Sequence, residues 1–155
     1  MQLLVRVAIG VFALDQLTKV LVVQVFALRE VLVVEGLPPL LPLQMAWNRG
    51  VNFGLMASNG NLTRWLLIAV ALVISGWVIW WMRREKRPLA HIAAGLLVGG
   101  AIGNVVDRVI YGAVADFLNM SCCGFDNPYS FNVADIAIFL GAVGLIVFTG
   151  EEKTP

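Results

Sequence analysis

Charge is scarce in this chain of 155 residues: 14% are charged, 59% are hydrophobic, and the mean hydropathy is +0.84. A soluble domain is about half apolar and about one quarter charged. So few charges do not cover a water-facing surface, which excludes an ordinary soluble enzyme, a disordered tail and a fibrous repeat. The net charge of +1 provides no general field for nucleic acid, so we expect no nucleic-acid partner.

Cysteine and histidine are also nearly missing. The two cysteines are the neighbours Cys122 and Cys123, which cannot form a long-range disulfide framework. We interpret them as loop residues, with a vicinal disulfide or a reactive thiol as the alternative. The single histidine, His91, has no HExxH or CxxC companion, so a zinc site lacks ligands. We expect no metal, and we interpret His91 as a packed or hydrogen-bonded residue.

Long apolar runs, in contrast, are abundant. Four stretches are each long enough to cross a bilayer, and a single span in lipid is helical because its backbone polar groups must pair internally. The fold class predicted is an all-α membrane protein with four transmembrane helices in a single integral membrane domain, residues 1–155. The spans are expected at about 7–28, 62–82, 88–106 and 131–149.

The basic residues predict the orientation of these spans. The only basic cluster lies between the second and third spans and holds Arg83, Arg84, Lys86 and Arg87. Cytoplasmic loops carry an excess of Lys and Arg, so both termini are expected in the cytoplasm. The longer connections, about 29–61 and 107–130, then face outward. We interpret the cluster as a topology anchor.

Small residues and turn formers predict how the helices and loops pack. Gly95, Gly99 and Gly103 share one helical face, which suits a close helix neighbour. Ala137 and Gly141 in the fourth span could supply the matching face. Three prolines within 36–43 exclude a regular helix there, and residues 48–54 are typical of a turn between short strands. This apolar connection is expected to lie at the membrane surface.

Ionisable side chains at membrane depth are costly and tend to be functional. Six such side chains are candidates, and the last four along the chain are expected near the outer membrane face. The alternative is that these four lie in loops by chance. Asp15 and Lys19, four apart with the acid first, are expected to form an ion pair. The six candidates are Asp15, Lys19, Asp107, Arg108, Asp116 and Asp135.

Local spacing gives these candidates structural roles. Asn104, Asp107 and Arg108 share a helical face and are interpreted as a polar brace. Asp116 would be out of phase with Asp107 on an unbroken helix, but Gly112 allows a bend between them. Asn132 is expected to cap the helix that carries Asp135.

Candidate nucleophiles are few. No serine lies in a GxSxG elbow, the cysteines have no nearby histidine, and a Ser–Lys pair with Lys19 lacks a motif. Paired aspartates remain, because two carboxyl groups that share one proton can activate water and protonate a carbonyl without a metal. Such a pair titrates as a unit.

Four segments, in order along the chain, resemble the bacterial lipoprotein signal peptidase (signal peptidase II) family. They are DQLTK at 15–19, NRGVNFG at 48–54, GNVVDR at 103–108 with GAVADF at 112–117, and FNVAD at 131–135. Each alone is weak, but all four in order are specific. Small residues are more usual in the family at Val51 and Asn52, a departure that bears on pocket shape.

The resemblance implies a membrane aspartyl protease with a small extracytoplasmic β cradle and an interfacial segment. Its catalytic dyad falls on Asp116 and Asp135. It implies removal of the signal peptide of diacylglyceryl-modified prolipoproteins before the lipidated cysteine, without cofactor or metal. The substrate-binding and support residues fall on Asn104, Asp107, Arg108, Asn132, Asn48, Gly50, Asp15 and Lys19.

The same resemblance implies further partners and a place in the cell. It implies contact with membrane lipids, inhibition by the cyclic peptide globomycin, and a bacterial cytoplasmic (inner) membrane protein with its site near the outer leaflet. A monomer is the default expectation. Two rivals are a small proton-coupled transporter, disfavoured because no internal repeat is visible, and a non-catalytic assembly subunit built on the glycine face.

Overall fold

The computed structural model describes residues 1–25, 28, 33–37, 41–50, 60–120 and 127–150. It combines apolar helices with a small antiparallel sheet of strand order β1–β2–β3–β4. The predicted fold class is therefore confirmed. The helices are α1 Gln2–Val20, continued by a π-helical turn at Leu21–Val25, α2 Gly60–Met82, α3 Pro88–Tyr111 and α4 Val133–Thr149. The strands are β1 Val33–Leu37, β2 Leu41–Asn48, β3 Val114–Asn119 and β4 Ser130–Phe131.

The helices are built for a lipid environment. Three segments, Gln2–Val25, Asn61–Met82 and Pro88–Tyr111, are long and apolar enough to cross a membrane, and α4 is an apolar helix of 17 residues. Large apolar side chains point away from the protein, such as Ile146, which is 77% exposed. A water-soluble monomer does not expose so much contiguous apolar surface, so these faces contact lipid in a multi-pass membrane protein.

Helix α3 is the centre of the bundle and packs against α1, α2 and α4. Its small residues allow close approach. A Cβ atom added to Gly99 would lie 2.5 Å from the carbonyl oxygen of Ala8 on α1, and one added to Gly95 would lie 2.7 Å from Cβ of Val7. The glycine face predicted from sequence therefore exists, but it packs against α1.

The partner predicted for that face, the small residues of α4, was wrong. Helix α4 meets a different side of α3: a Cβ atom on Gly141 would lie 2.5 Å from the backbone nitrogen of Leu97, and one on Gly100 would lie 2.5 Å from the carbonyl oxygen of Ala134. Glycines on two sides let α3 receive two helices. Sequence spacing defines a face but does not identify its neighbour.

The sheet continues directly from α3. Gly112 has φ of +75°, a left-handed conformation that ends the helix, and its N–H donates to the carbonyl of Arg108. The chain then enters β3, which pairs with β2 on one side and β4 on the other. The bend predicted at Gly112 is confirmed, and it brings the strand bearing Asp116 back beside α3.

Some expectations fall partly or wholly outside the described residues. The predicted turn at 48–54 is described only as far as Gly50, and Cys122 and Cys123 lie outside the described ranges. The interfacial segment is likewise described only in part. His91 is 6% exposed and its Nδ1 lies 3.0 Å from the carbonyl oxygen of Arg87, so its interpretation as a packed, hydrogen-bonded residue is confirmed.

Candidate active site

The first turn of α4 presents one of the candidate carboxylates. Asn132 is the N-cap, and its Oδ1 accepts from the backbone N–H of Asp135 at 2.9 Å. The Asp135 carboxylate in turn accepts from the backbone N–H of Asn132 at 3.2 Å. This reciprocal capping box satisfies N–H groups that a helix start leaves free, and the helix dipole favours a negative charge there. The predicted capping role of Asn132 is confirmed.

The Asn132 side chain also joins the two aspartates. Because its Oδ1 is committed to a backbone N–H, its Nδ2 must be the donor, and it donates to Oδ1 of Asp116 at 2.6 Å. One side-chain amide thus touches Asp116 and holds the turn that carries Asp135. The two acids, 19 positions apart in sequence, are brought together in space by this residue.

Asn104 on α3 completes the link. Its Oδ1 accepts from Nδ2 of Asn132 at 3.2 Å, and its Nδ2 donates to Oδ1 of Asp135 at 2.8 Å. Because Nδ2 of Asn132 is a donor, the Asn104 atom that it meets must be the oxygen. Nδ2 of Asn104 therefore faces Asp135 as the donor. Asn104 therefore braces Asp135 and Asn132, whereas the sequence pattern placed it in a brace with Asp107.

Asp116 lies on β3, and the residue that pairs with it on β2 is Ala46. The residue is 2% exposed, and its second oxygen accepts from Nδ2 of Asn48 at 3.0 Å. Burial, followed by the repulsion of Asp135, raises the pKa of Asp116 to about 6. The hydrogen bonds from Asn48 and Asn132 oppose that rise.

Lys19 is the centre of a buried cluster of charged groups, which meets the contacts just described at Asn104. Its Nζ lies 2.8 Å from Oδ2 of Asp15 and 2.8 Å from Oδ2 of Asp107, and it donates to Oδ1 of Asn104 at 3.2 Å. The predicted Asp15–Lys19 ion pair is confirmed and extends to a second acid. Three protons of one ammonium meet three acceptors, so this buried cation is satisfied.

Asp107 and Asp15 anchor the backbone on either side of the candidate dyad. Oδ2 of Asp107 accepts from the backbone N–H of Ala115, immediately before Asp116, at 3.2 Å. Oδ1 of Asp15 accepts from the backbone N–H of Ala134, immediately before Asp135, at 3.0 Å. Helix α1 and the end of α3 therefore fix the chain next to each acid.

Asn48 and Gly50 form the opposite wall. The N–H of Gly50 donates to Oδ1 of Asn48 at 3.0 Å, which orients Nδ2 of Asn48 toward Asp116. Gly50 has φ of +102°, and a Cβ atom there would lie 2.8 Å from Cδ1 of Leu67. Glycine adopts this positive φ readily and has no Cβ atom to clash with Leu67.

An open cavity of about 810 Å³ leads to Asp116. Its size suits a peptide segment rather than a small ion. Arg108 faces it, donates from one Nη to the carbonyl of Asn104 at 3.3 Å, and has a buried Nε without a hydrogen-bond partner. The cavity is lined by Ala46, Trp47, Asn48, Arg49, Gly50, Leu67, Arg108, Asp116, Pro128, Tyr129 and Ser130.

Sequence reasoning missed two structural residues of the site. Nε2 of Gln16 lies 3.1 Å from Oδ2 of Asp15 and 3.2 Å from Oδ1 of Asp107. Gln16 precedes Lys19 by three residues on the same helix, and this spacing could have placed it beside the charged residues. Asn119 is fully buried, and its Nδ2 donates to the carbonyls of Asn127 and Tyr129. It fixes the cavity wall at 128–130, and nothing in the sequence indicated this.

The sequence matches the family described as Signal peptidase (SPase) II over residues 7–150. The chain belongs to the signal peptidase II family. The resemblance inferred from the four segments is therefore confirmed, and the match covers every residue of the candidate site.

Two relatives illustrate the similarity within the signal peptidase II family. The lipoprotein signal peptidase of Methylorubrum extorquens (strain PA1) is 49% identical over 111 residues, 72% of this chain and 64% of the relative. That of Azoarcus sp. (strain BH72) is 43% identical over 143 residues, 91% of this chain and 78% of the relative. The matched part of this chain thus spans less than two thirds of the first relative and over three quarters of the second.

Solved structures support the fold. Two bacterial membrane enzyme structures superpose with TM-scores of 0.77 and 0.78, each at 23% sequence identity. The first match covers 100% of this chain and 95% of the other, and the second covers 99% and 96%. The arrangement of apolar helices and small sheet is therefore an architecture already seen in membrane enzymes.

Proposed function

We propose that this chain is an intramembrane aspartic endopeptidase that removes the signal peptide from diacylglyceryl-modified prolipoproteins, cutting before the lipidated cysteine. The observation that carries the proposal is the bridge from Asn132 to Asp116 within the capping box of Asp135. Two acids linked by one amide, with Asp116 lining a peptide-sized cavity, suit hydrolysis by a shared proton. Membership of the signal peptidase II family supports the same activity.

In the proposed mechanism, Asp116 and Asp135 are the catalytic residues and hold a water molecule between them. Asp135, on the first turn of α4, accepts a proton from the water as it attacks the scissile carbonyl carbon. Asp116 donates its proton to the carbonyl oxygen, giving a neutral gem-diol. The elevated pKa of Asp116 supports its assignment as the acid. Asp135 then gives its proton to the amine nitrogen as the C–N bond breaks, and Asp116 takes the proton of one gem-diol hydroxyl, which releases the carboxylic acid product and restores the dyad. The proposed mechanism uses no metal or cofactor.

The remaining residues support this chemistry. Asn104 and Asn132 orient the two carboxyl groups, and Asp107, Asp15 and Lys19 fix the backbone that carries them. Arg108 faces the cavity with spare donor capacity, which suits a peptide carbonyl of the substrate. Asn48 and Gly50 form the wall nearest Asp116 and contact the bound segment.

The substrate is proposed to reach the site within the bilayer. Acyl chains contribute about 0.8 kcal/mol per CH₂ to membrane partition, and they keep most of that energy when the enzyme binds them. They therefore tether the substrate, while the cavity discriminates around the modified cysteine. Membrane lipids are the constant partners of the exposed helix faces, and globomycin is proposed as an inhibitor that occupies the same cavity.

We further propose a monomer in the bacterial cytoplasmic membrane that forms one domain over residues 1–155. Both termini are assigned to the cytoplasm because the basic residues 83–87 lie between α2 and α3. Alternation of the helices then assigns the dyad and the sheet to the outer leaflet.

The decisive test uses the purified full chain in detergent with a diacylglyceryl-modified prolipoprotein and its unmodified form. Asp116→Asn and Asp135→Asn are each expected to abolish cleavage, because an amide neither accepts the water proton nor shares one. Glu85→Gln, an acid in the loop between α2 and α3, is the matched control and should cleave normally. Turnover by either dyad variant at the wild-type rate would end the assignment.

Selectivity between the two substrates tests the rest of the proposal. We expect cleavage only of the lipidated form, measured by the change in electrophoretic mobility. Equal cleavage of both forms would reject the proposed substrate class, and absence of cleavage together with ion flux in vesicles would favour a transporter.

A further inference from the structure

The loop between α2 and α3, residues 83–87, takes no part in the proposed active site. We call it the basic loop. Arg83, Arg84, Lys86 and Arg87 are all exposed. A shallow cleft of about 480 Å³ is lined by Arg84, Glu85, Lys86 and Arg87. Four cations within five residues repel one another, so the loop favours an external anion.

The acid within the loop does not supply that anion. Oε1 of Glu85 accepts from the backbone N–H of Lys86 at 2.8 Å, from the N–H of Arg87 at 2.9 Å and from Nε of Arg87 at 3.2 Å. These bonds lower the pKa of Glu85 and keep its charge within the loop. Arg87 also donates to the carbonyl of Gly150. Glu85 and Arg87 therefore compensate each other.

Within the described residues, three cations of the basic loop have no acidic partner. Across the described ranges, no carboxylate forms an ion pair with Arg83, Arg84 or Lys86. The guanidinium of Arg84 lies over the ring of Trp80, 6.0 Å from its centroid, which holds it near the end of α2. The uncompensated charges are thus concentrated at one helix end.

The position of the loop decides between possible anions. It joins the last turn of α2 to the first turn of α3, at the boundary of two apolar helices. Trp77 and Trp80 are more than half exposed there, and Trp77 stacks on Trp81 at 5.5 Å. Exposed tryptophans at the ends of spans mark the headgroup level of a bilayer. The positive charge of the basic loop and its position at the headgroup level together suit the phosphate of a phospholipid.

We propose that the basic loop binds the headgroups of anionic phospholipids through Arg83, Arg84 and Lys86. A basic residue near an anionic bilayer surface strengthens binding about fivefold, so the three together are expected to contribute about 100-fold. Headgroup binding by the basic loop does not depend on the peptidase activity, since the loop lies outside the candidate active site.

The test compares lipid retention by the full chain and by Arg83→Gln/Arg84→Gln/Lys86→Gln. Each protein in neutral detergent is titrated with phosphatidylglycerol or phosphatidylcholine, and bound lipid is counted by native mass spectrometry. We expect the wild type to prefer phosphatidylglycerol, and the triple variant to lose that preference by about two orders of magnitude. Undiminished preference in the triple variant would overturn the proposal.

Two controls separate headgroup binding from free-phosphate binding and from loss of the fold. Glu85→Gln removes the acid of the loop and should bind phosphatidylglycerol at least as well as the wild type. Inorganic phosphate, added in competition, should displace little lipid; if it displaces phosphatidylglycerol at equal concentration, the loop is a free-phosphate site and the lipid proposal fails. Thermal unfolding of the triple variant in neutral detergent should match the wild type, which shows that the fold is kept.

Discussion

Asp116 and Asp135 differ in their surroundings although Asn132 forms hydrogen bonds with both. Asp116 lies on a strand and is 2% exposed, whereas Asp135 lies on the first turn of a helix and is partly exposed. A buried carboxyl group retains its proton to higher pH than an exposed one. Burial therefore suits Asp116 to the role of the acid in the proposed mechanism.

The rate should depend on pH through Asp116. Its pKa is raised to about 6, so the protonated form required of an acid is present below that pH and is lost as the pH rises through it. We expect kcat/KM to fall on the alkaline side with a midpoint near 6 for the free enzyme. Initial rates of cleavage across pH measure this midpoint.

Asn48 provides a check on that midpoint. Its hydrogen bond lowers the pKa of Asp116, so Asn48→Ala should move the alkaline limb to higher pH. A limb that stays in place, or moves to lower pH, contradicts the assignment of Asp116 as the acid.

Asn132 performs two tasks that substitutions can separate. Asn132→Ser keeps a cap acceptor for the N–H of Asp135 but removes the donor to Asp116, so kcat should fall about 100-fold with little loss of stability. Asn132→Ala removes both and should also lower the free energy of unfolding by about 1 kcal/mol. Cleavage rates and unfolding in detergent distinguish the two. Equal loss of stability in both variants contradicts this division.

Among the helices, α3 is the one that packs against all the others. Its glycines face α1 on one side and α4 on the other, and its last turns carry Asn104, Asp107 and Arg108. The spacing of these residues predicted one small face and one polar end. It could not predict which helix packs there, because spans of similar composition offer similar surfaces.

Gly99→Leu should destabilise the contact between α1 and α3. Even a Cβ atom would lie 2.5 Å from the carbonyl oxygen of Ala8, so the helices must separate. Overpacking of this kind costs about 1–3 kcal/mol. Gly76→Leu on α2 is the matched control, since its Cβ atom would meet nothing within 4 Å. Equal melting temperatures for the two variants in detergent would refute the close packing.

For the whole molecule, the buried charges connect distant parts of the chain. Asp15 on α1 contacts Lys19 on the same helix and the backbone of Ala134 on α4, while Lys19 reaches Asp107 on α3. The sequence predicted the Asp15–Lys19 pair because both lie on one helix. It could not predict the contact with Ala134, which depends on how α4 docks, and the short strands carried too little periodicity to fix their pairing.

Asp15→Ala should weaken the whole bundle. Removal of Asp15 leaves Lys19 paired with Asp107, but the buried ammonium loses one acceptor and the N–H of Ala134 loses its acceptor, which costs about 1–3 kcal/mol. Asp15→Asn keeps an acceptor for the N–H of Ala134 and should lose less. Unfolding in detergent measures both free energies. A variant Asp15→Ala as stable as the wild type would show that the cluster does not hold the helices together.

The capping box at Asn132 links maturation of the chain to its chemistry. Asn132, which starts α4, also contacts Asp116 and Asn104, so the candidate dyad is assembled only when α4 docks beside α3. On the proposed mechanism, a chain whose α4 has not yet docked lacks the paired acids and is expected to leave neighbouring proteins uncut.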